Sequence, residues 1–150
     1  MFISIGIDED GRPYITTSDG SREKVVRKGK GKSVIDFPST YTVLDIETTG
    51  LDPRYCEIIE ISAMKYSSGQ NIGTFSTLVK PSEPIDEYIT SLTGITNDML
   101  KSAPDISETM QKFYNFVGSD LIVGYNVNFD INFLYDNLLN CRSLICQTPY

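Results

Sequence analysis

The distribution of apolar and polar positions predicts three consecutive strands after Pro38. Residues 41–47 are predicted to form a strand of the buried type, and residues 57–66 a longer strand centred on residues 58–61. A turn at 68–70 follows, after which residues 71–80 alternate between two faces, as a strand does. Because the links between these strands are short, the pattern predicts an antiparallel meander.

Two helical segments follow the meander. Thr96 or Asn97 can cap a short helical turn that ends at Leu100. A longer helix opens with Pro-Asp at residues 104–105, and Gly118 is a typical helix stop. The pattern therefore predicts helices beside the sheet.

The last part of the chain predicts one more strand and one more helix. Residues 121–123 are short and wholly apolar, which is typical of a buried parallel strand. Asn128 can cap a helix that runs to Leu139, and residues 143–147 are a further candidate strand. The resulting order, β-β-β-α-β-α-(β), predicts a mixed sheet with flanking helices in the α/β class.

The first part of the chain is predicted to form an extension. Residues 2–7 alternate as a strand, an Asp-Gly turn signal follows, and residues 14–17 can return as the second strand of a hairpin. A change in charge divides this extension, residues 1–37, from a domain of residues 38–150.

Basic side chains are concentrated in the extension. Residues 22–32 hold six basic side chains and one acidic one, whereas residues 37–150 hold six basic and fourteen acidic side chains. The basic run could contact nucleic-acid phosphates, or it could be a solvated linker. The linker interpretation is favoured, because a run of like charges is usually solvated.

Length and composition exclude several classes of protein. With 150 residues and 40% hydrophobic residues, the chain can bury one core. No run approaches roughly 18 apolar residues, and the start lacks the basic region of a signal peptide, so no membrane segment is expected. The three cysteines have no metal-binding spacing, which favours reduced thiols and a cytoplasmic location.

The chain contains no histidine. Nucleophilic sites of the Ser-His-Asp or Cys-His type and the common zinc sites require an imidazole. These mechanisms are therefore excluded for this sequence. The chemistry that remains belongs to its 20 carboxylates, which outnumber the 13 Lys and Arg residues.

Asp45 and Glu47 end the first strand of the meander. Alternate residues of a strand share a face, so these carboxylates project from one side, about 6.6 Å apart along the backbone. Neighbouring carboxylates repel each other, so the arrangement requires a cation from outside the local chain. Taken alone, Asp45 could also be a capping or turn aspartate.

Asp130 presents the same problem on a helix. In a projection that starts at Phe129, Asp130 falls at about 100°, between Phe133 at about 40° and Leu134 at about 140°. The carboxylate thus lies within the face predicted to be buried, whereas Asp136 lies outside it. A buried ionised group needs a partner or a metal ion. The alternative is an ordinary first-turn acid that complements the helix dipole.

Three acids that face the interior without a neighbouring cation predict hard divalent ions, Mg²⁺ or Mn²⁺, with oxygen ligands. Two such ions about 4 Å apart can activate water and stabilise the leaving oxygen in phosphodiester hydrolysis. A zinc site would need thiol or imidazole ligands, which the sequence does not place there.

Two motifs resemble those of the DEDD superfamily of 3′–5′ exonucleases, in particular its DnaQ-like members such as the proofreading (epsilon) subunits of bacterial DNA polymerase III. The first family motif, D-x-E-T-T-G, stands at residues 45–50. The second, usually H-N-x-x-F-D-x-x-F-L, stands at residues 125–134. Residues 92–96 and 103–104 are similar to the intervening segment, and the resemblance covers residues 40–140.

The resemblance implies a ribonuclease H-like fold, in which the strand predicted at 121–123 lies parallel to the first strand of the meander. It implies that Asp45, Glu47 and Asp130 are catalytic metal ligands for two Mg²⁺ or Mn²⁺ ions. It also implies a pocket for the 3′-terminal nucleotide, formed by Thr48, Thr49, Gly50, Leu51 and Asn126.

Two features depart from the family pattern. Tyr125 stands where the family usually has histidine, at a position that is not a metal ligand there. The third motif, H-x-x-x-x-D or Y-x-x-x-D, which supplies the general base, has no counterpart in these residues. The resemblance therefore implies an exonuclease domain that is truncated at its C-terminus. We expect this chain alone to turn over weakly or not at all.

The function that the resemblance implies is metal-dependent 3′–5′ release of nucleoside monophosphates from DNA, as in proofreading. Association with a DNA polymerase or helicase is also implied. The missing third motif favours a second class, a catalytically impaired nuclease-fold module that binds nucleic acid or a polymerase partner. A third interpretation is an exoribonuclease of the same superfamily, since the motifs do not separate DNA from RNA.

Overall fold

The computed structural model describes the backbone of residues 4–7, 13–16, 27, 30 and 38–145, and the side chains of residues 27, 30 and 38–138. The elements in chain order are β1 Ser4–Ile7, β2 Pro13–Thr16, β3 Thr40–Thr48, β4 Ile58–Ser67, β5 Gln70–Leu78, α1 Glu87–Thr93, α2 Asn97–Leu100, α3 Ile106–Val117, β6 Leu121–Val123 and α4 Asn128–Ile145. The described helices include none with the length and hydropathy of a bilayer-spanning segment.

The strands form two sheets. β1 and β2 pair as an antiparallel hairpin, as predicted for the N-terminal extension. The larger sheet has the strand order β5-β4-β3-β6. β4 is antiparallel to both β3 and β5, and β6 is parallel to β3. The predicted meander and parallel strand are therefore confirmed.

One face of the larger sheet packs in the core. Leu44 and Ile46 of β3 are buried, whereas Asp45 between them is exposed on the opposite face. The description of β3 as a wholly buried strand is therefore wrong, because α3 and α4 cover only one face. The core consists of apolar side chains from the sheet and these helices, Leu44, Ile46, Ile58, Ile61, Ala63, Val79, Met110, Phe113, Val117, Phe133 and Leu134.

A second, smaller apolar cluster joins α1 and α2 to the sheet. Leu78 packs against it and is the cross-strand partner of Glu60, which in turn is the partner of Glu47. Cross-strand partners share a face of a sheet, so this cluster lies beside the face that carries Glu47. Its buried members are Ile59, Ile85, Ile89, Ile95 and Leu100.

α1 was not predicted from the sequence. Asp86 caps it by accepting a hydrogen bond from the N–H of Ile89 at 2.8 Å, and Gly94 ends it with a φ of 76°. These are ordinary signals for a helix start and stop. The helix spans only 7 residues and buries one of them, so no apolar period reveals it.

Two predictions about the C-terminal part are wrong. β6 is not fully buried, since Leu121 is 40% exposed; among the described strands only β3 is its neighbour. α4 continues to Ile145, so residues 143–145 are helical rather than part of a strand, and residues 146–147 lie outside the described residues. No Gly or Pro lies between Asn128 and Pro149, so nothing in the sequence ends the helix early.

Buried polar contacts fix the position of β6 against β3. The hydroxyl of Thr42, which is 0% exposed, donates to the Asp120 carboxylate at 2.8 Å, immediately before β6. Lys65 of β4 approaches the same carboxylate at 3.1 Å and donates to the carbonyl of Val117 at 3.3 Å. These contacts hold the end of α3 and the start of β6 on the sheet, and so determine where the chain enters α4.

The two described residues of the basic run contact α4. Arg27 forms a double ion pair with Asp136, with Nε 2.8 Å from Oδ1, and only 10% of its side chain is exposed. Lys30 donates to the side-chain oxygens of Asn128 at 3.0 Å and Asn132 at 2.8 Å, and burial together with the charge of Arg27 lowers its pKa. The solvated-linker interpretation is therefore wrong at these two positions.

Candidate active site

A hydrogen bond brings the carboxylate of α4 to the two acids of β3. Asp130, in the first turn of α4, is 3% exposed, and its Oδ1 accepts the backbone N–H of Ile46 at 3.2 Å. Ile46 lies between Asp45 and Glu47, so the bond places Asp130 beside both acids although 84 residues separate the bonded groups. The burial of Asp130 predicted from the helical projection is confirmed.

The edge of β3 is open to α4 because β6 is short. β6 pairs with β3 only from Tyr41 to Val43. Gly124 then passes so close to β3 that a Cβ on it would lie 2.7 Å from the Leu44 carbonyl oxygen. Asn126 turns the chain with a φ of 49°, and α4 starts two residues later. The first turn of α4 thus occupies the edge that a longer β6 would cover.

The three acids influence one another electrostatically. Burial, together with the charges of Asp45 and Glu47, raises the pKa of Asp130 to about 6, although its backbone hydrogen bonds act in the opposite direction. Burial and the charges of Asp45 and Glu60 also raise the pKa of Glu47. The ionised forms of Asp130 and Glu47 are therefore disfavoured, and a bound cation would offset both the burial and the repulsion.

The expectation that all three acids face the interior is only partly correct. Asp130 is buried and Glu47 is half-buried, but Asp45 is exposed, because it lies on the sheet face that α3 and α4 do not cover. In the part of the chain that the structure describes, no three Asp, Glu or Cys side chains converge as they do around a metal ion. The carboxylate oxygens are chemically suitable ligands for a divalent cation, but among the described residues they do not surround a single metal position.

Glu60 is a fourth acid at this site that the sequence analysis did not single out. It lies directly opposite Glu47 on β4, is half-buried, and accepts a weak hydrogen bond from Ser62 at 3.4 Å. Like charges in this position destabilise a sheet. The position of Glu60 in an otherwise apolar segment around Ile61 is a signal that could have singled it out. Only the strand register shows that it faces Glu47.

The residues of the expected nucleotide pocket form a folded-back loop directly after the acids. The Thr48 hydroxyl donates to the carbonyl of Gly50 at 2.6 Å, and the Thr49 hydroxyl accepts the N–H of Glu57 at 2.9 Å. These hydroxyls are therefore engaged within the loop. Leu51 is 57% exposed and is the apolar side chain of this group that a ligand can reach.

Asn126, the remaining residue of the expected pocket, lies on the opposite side of β3 from that loop. It is exposed, and its carbonyl accepts the N–H of Phe129 at 2.9 Å in the turn into α4. The neighbouring Tyr125 is 99% exposed. The predicted site residues thus lie at the end of β3, in the loop that follows it, and in the turn and first helical residues at the start of α4.

Substituting Gly124 with alanine is expected to lower the free energy of unfolding by about 2 kcal/mol. The new Cβ would lie 2.7 Å from a backbone oxygen of Leu44, which cannot rotate away, so the turn into α4 must move. Urea unfolding measures the change. Gly50→Ala is the matched comparison, because its Cβ would meet the Cys56 sulfur at the same distance and Cys56→Ala should relieve that contact. An unchanged urea midpoint for Gly124→Ala would contradict the close approach.

Comparisons with known proteins agree on one class. The RNase T family model, described as "Exonuclease", matches residues 42–149. A PolC-type DNA polymerase III of Thermotoga petrophila is 42% identical over 112 residues, which are 75% of this chain and 8% of that protein. The corresponding protein of Bacillus subtilis is 43% identical over 95 residues, 63% of this chain and 7% of its own length. The chain thus spans less than a tenth of these relatives.

Solved structures show the same fold. E. coli Exonuclease I in complex with a dT13 oligonucleotide aligns with a TM-score of 0.62 and 22% identity, over 69% of this chain and 24% of that one. Exonuclease X in complex with 5′ overhanging duplex DNA aligns with a TM-score of 0.52 and 30% identity, over 60% of this chain and 51% of that one. The expected ribonuclease H-like fold is therefore confirmed.

Proposed function

Because the chain belongs to the RNase T exonuclease family, we propose that it removes nucleotides from the 3′ end of a DNA strand with the help of divalent metal ions. The observation that carries this proposal is the hydrogen bond from the Ile46 N–H to Asp130, which brings Asp130 next to the strand segment that carries Asp45 and Glu47. DNA is favoured over RNA because the relatives are DNA polymerases and the matched exonucleases are described with DNA.

The metal ions would be Mg²⁺ or Mn²⁺, held by Asp45, Glu47 and Asp130. Exonucleases of this family generally use divalent ions, and hard carboxylate oxygens suit these two. When bound, a pair of such ions activates a water and stabilises the leaving oxygen of a phosphodiester. Burial, and secondly the neighbouring carboxylates, raise the pKa values of Glu47 and Asp130, which supports the proposal because a bound cation would offset both causes.

The protein's own residues position the strand end. The Ile46 N–H holds Asp130 at one place, which limits how far its carboxylate can turn from the acids of β3. The small loop at Thr48, Thr49 and Gly50 allows a phosphate to approach the acids closely. Leu51 on one side and Asn126 on the other would contact the terminal nucleotide.

The chain contains no histidine that could act as the general base. We therefore propose that residues 1–150 alone hydrolyse DNA slowly or not at all. A specific observation favours a second candidate function, a nuclease-fold module that binds nucleic acid or a polymerase without turnover. Asp45 is exposed, and in the described residues no three ligand-type side chains converge. Association with a polymerase is proposed from the relatives.

The test is a digestion assay at high protein concentration, with single-stranded DNA labelled at either end and Mn²⁺ or Mg²⁺ present. We expect slow shortening of the 5′-labelled strand from its 3′ end, or none, and no shortening with EDTA or in Asp45→Ala. Digestion that survives Asp45→Ala would refute the assigned site, because another site would then perform the hydrolysis. Binding of the strand without shortening would favour the second candidate function.

A further inference from the structure

The loop Thr49–Glu57, which we call the β3–β4 loop, is held in one conformation by its own hydrogen bonds. At its base the N–H of Thr49 donates to the carbonyl of Glu57, and the N–H of Glu57 donates to the Thr49 hydroxyl, both at 2.9 Å. At its centre the carbonyl of Asp52 accepts the N–H groups of Tyr55 at 3.0 Å and Cys56 at 2.8 Å. The loop therefore presents its side chains in fixed positions.

Asp52 also fixes the guanidinium of Arg54. The carboxylate, in a residue that is 8% exposed, accepts Nε of Arg54 at 3.1 Å and a terminal nitrogen at 2.9 Å. Burial alone would raise the pKa of Asp52, but the hydrogen bonds and charge of Arg54 outweigh it and lower the pKa. The ion pair is thus a built part of the loop, and it sets the plane of the guanidinium.

The outer surface of this loop combines a fixed cation with large apolar side chains. The guanidinium carbon of Arg54 lies 5.3 Å from the centre of the Tyr55 ring. Tyr55 is 72% exposed and Leu51 is 57% exposed. Single exposed apolar residues are normal on a protein surface. Here two exposed apolar side chains, Leu51 and Tyr55, lie in the same short loop as an arginine that Asp52 holds in place, and this loop directly follows β3.

We propose that Tyr55 stacks on a base of the strand whose 3′ end lies at the acids, and that Arg54 faces the adjoining backbone phosphate. The inference rests on the proposed function and adds two residues of the β3–β4 loop to the contacts with the strand. Aromatic side chains bind bases of any sequence by stacking, and arginine adds a planar cation. Residues 37–150 carry fourteen acidic and only six basic side chains, and Arg54 is one of these six.

Stacking on Tyr55 requires an unpaired base near the end of the strand. A base can cover the Tyr55 ring only if one of its own faces is free, which is the case when the strand near its end is unpaired. The loop begins immediately after β3, so a strand that ends at Asp45 and Glu47 passes it within a few nucleotides.

The test measures the affinity of the full 150-residue chain for a 5′-fluorescein-labelled oligothymidylate, with Ca²⁺ in place of Mg²⁺ so that the strand is not consumed. Tyr55→Ala is expected to weaken binding about tenfold, while Tyr55→Phe, which keeps the ring, stays within about twofold. Tyr114→Ala is the matched control, because Tyr114 is a 55% exposed tyrosine on α3. We expect it to bind as the unaltered chain does.

A second measurement localises the contact. Oligonucleotides with one abasic position, moved stepwise from the 3′ end, should lose affinity for the unaltered chain at one particular position, and Tyr55→Ala should be insensitive there. If Tyr55→Ala binds as tightly as the unaltered chain, the stacking role is overturned and the proposed function stands. If the unaltered chain binds no single strand, the proposed function fails and the inference fails with it.

Discussion

Replacing Asp130 with asparagine is expected to raise the free energy of unfolding of the metal-free protein by about 3 kcal/mol at pH 7.5. The carboxyl is 3% exposed, and its pKa is raised from 3.8 to about 6 by burial and by the charges of Asp45 and Glu47. Asparagine has the same shape and keeps an oxygen that can accept the N–H of Ile46, but it carries no charge. The variant therefore removes a repulsion and preserves the hydrogen bond.

The pH dependence of this effect has a definite sign. The folded protein holds the proton of Asp130 up to a pH of about 6, whereas the unfolded chain loses it near the ordinary value of 3.8. Asp130 therefore makes the protein less stable as the pH rises from about 4 to about 6, after which the loss is complete. Asp130→Asn lacks this loss, so the two stability curves should coincide below about pH 4, separate between about pH 4 and about pH 6, and keep a constant separation above that.

Urea unfolding in EDTA across this pH range measures the difference. Asp136→Asn is the matched control, because it makes the same substitution on α4 at a carboxylate that is paired with Arg27. That variant should lose stability. If Asp130→Asn is less stable than the unaltered chain at pH 7.5 without metal, the ionised carboxylate of Asp130 does not destabilise the folded protein and this prediction is wrong.

The sequence predicted the position of Asp130 because a helix has a fixed period. Phe133 and Leu134 had to face the core, and the same projection placed Asp130 between them. The meander was also predictable from local features, since consecutive strands joined by short turns pair with each other. Local periodicity thus determined which residues are buried in these elements.

Contacts between distant segments could not be predicted in this way. The bond between Ile46 and Asp130 joins residues 84 apart, and the ion pair between Arg27 and Asp136 joins residues 109 apart. Periodicity assigns a residue to a face but does not say what that face meets. For this reason the exposure of Asp45 was wrongly predicted, since it depends on which side of the sheet the helices cover.

Glu60 was missed for a related reason. An acid in an apolar strand is visible in the sequence, but its position opposite Glu47 depends on the register of β3 and β4 and on the irregularity that follows Glu47. Strand alternation and the helical period singled out Asp45, Glu47 and Asp130, and the two motifs implied their role. The residues that surround them, including Arg54 and Tyr55 in the β3–β4 loop, came only from the structure.

The second large effect is expected in metal binding. If Asp45, Glu47 and Asp130 hold one group of divalent ions, then removing any one charge should weaken Mn²⁺ binding roughly a hundredfold or more, because each carboxylate is both a ligand and a source of attraction. The conservative variants Asp45→Asn, Glu47→Gln and Asp130→Asn change the charge and little else. Glu108→Gln, on the exposed side of α3, is the matched control, since its partner is the nearby Lys112.

Calorimetric titration of Mn²⁺ into the purified chain at pH 7.5 tests whether these three acids act together. We predict saturable binding to the unaltered chain and to Glu108→Gln, and loss of that binding in each of the other three variants. Mn²⁺ binding of unchanged affinity in Asp45→Asn, Glu47→Gln and Asp130→Asn would contradict the assignment of a metal site at the end of β3.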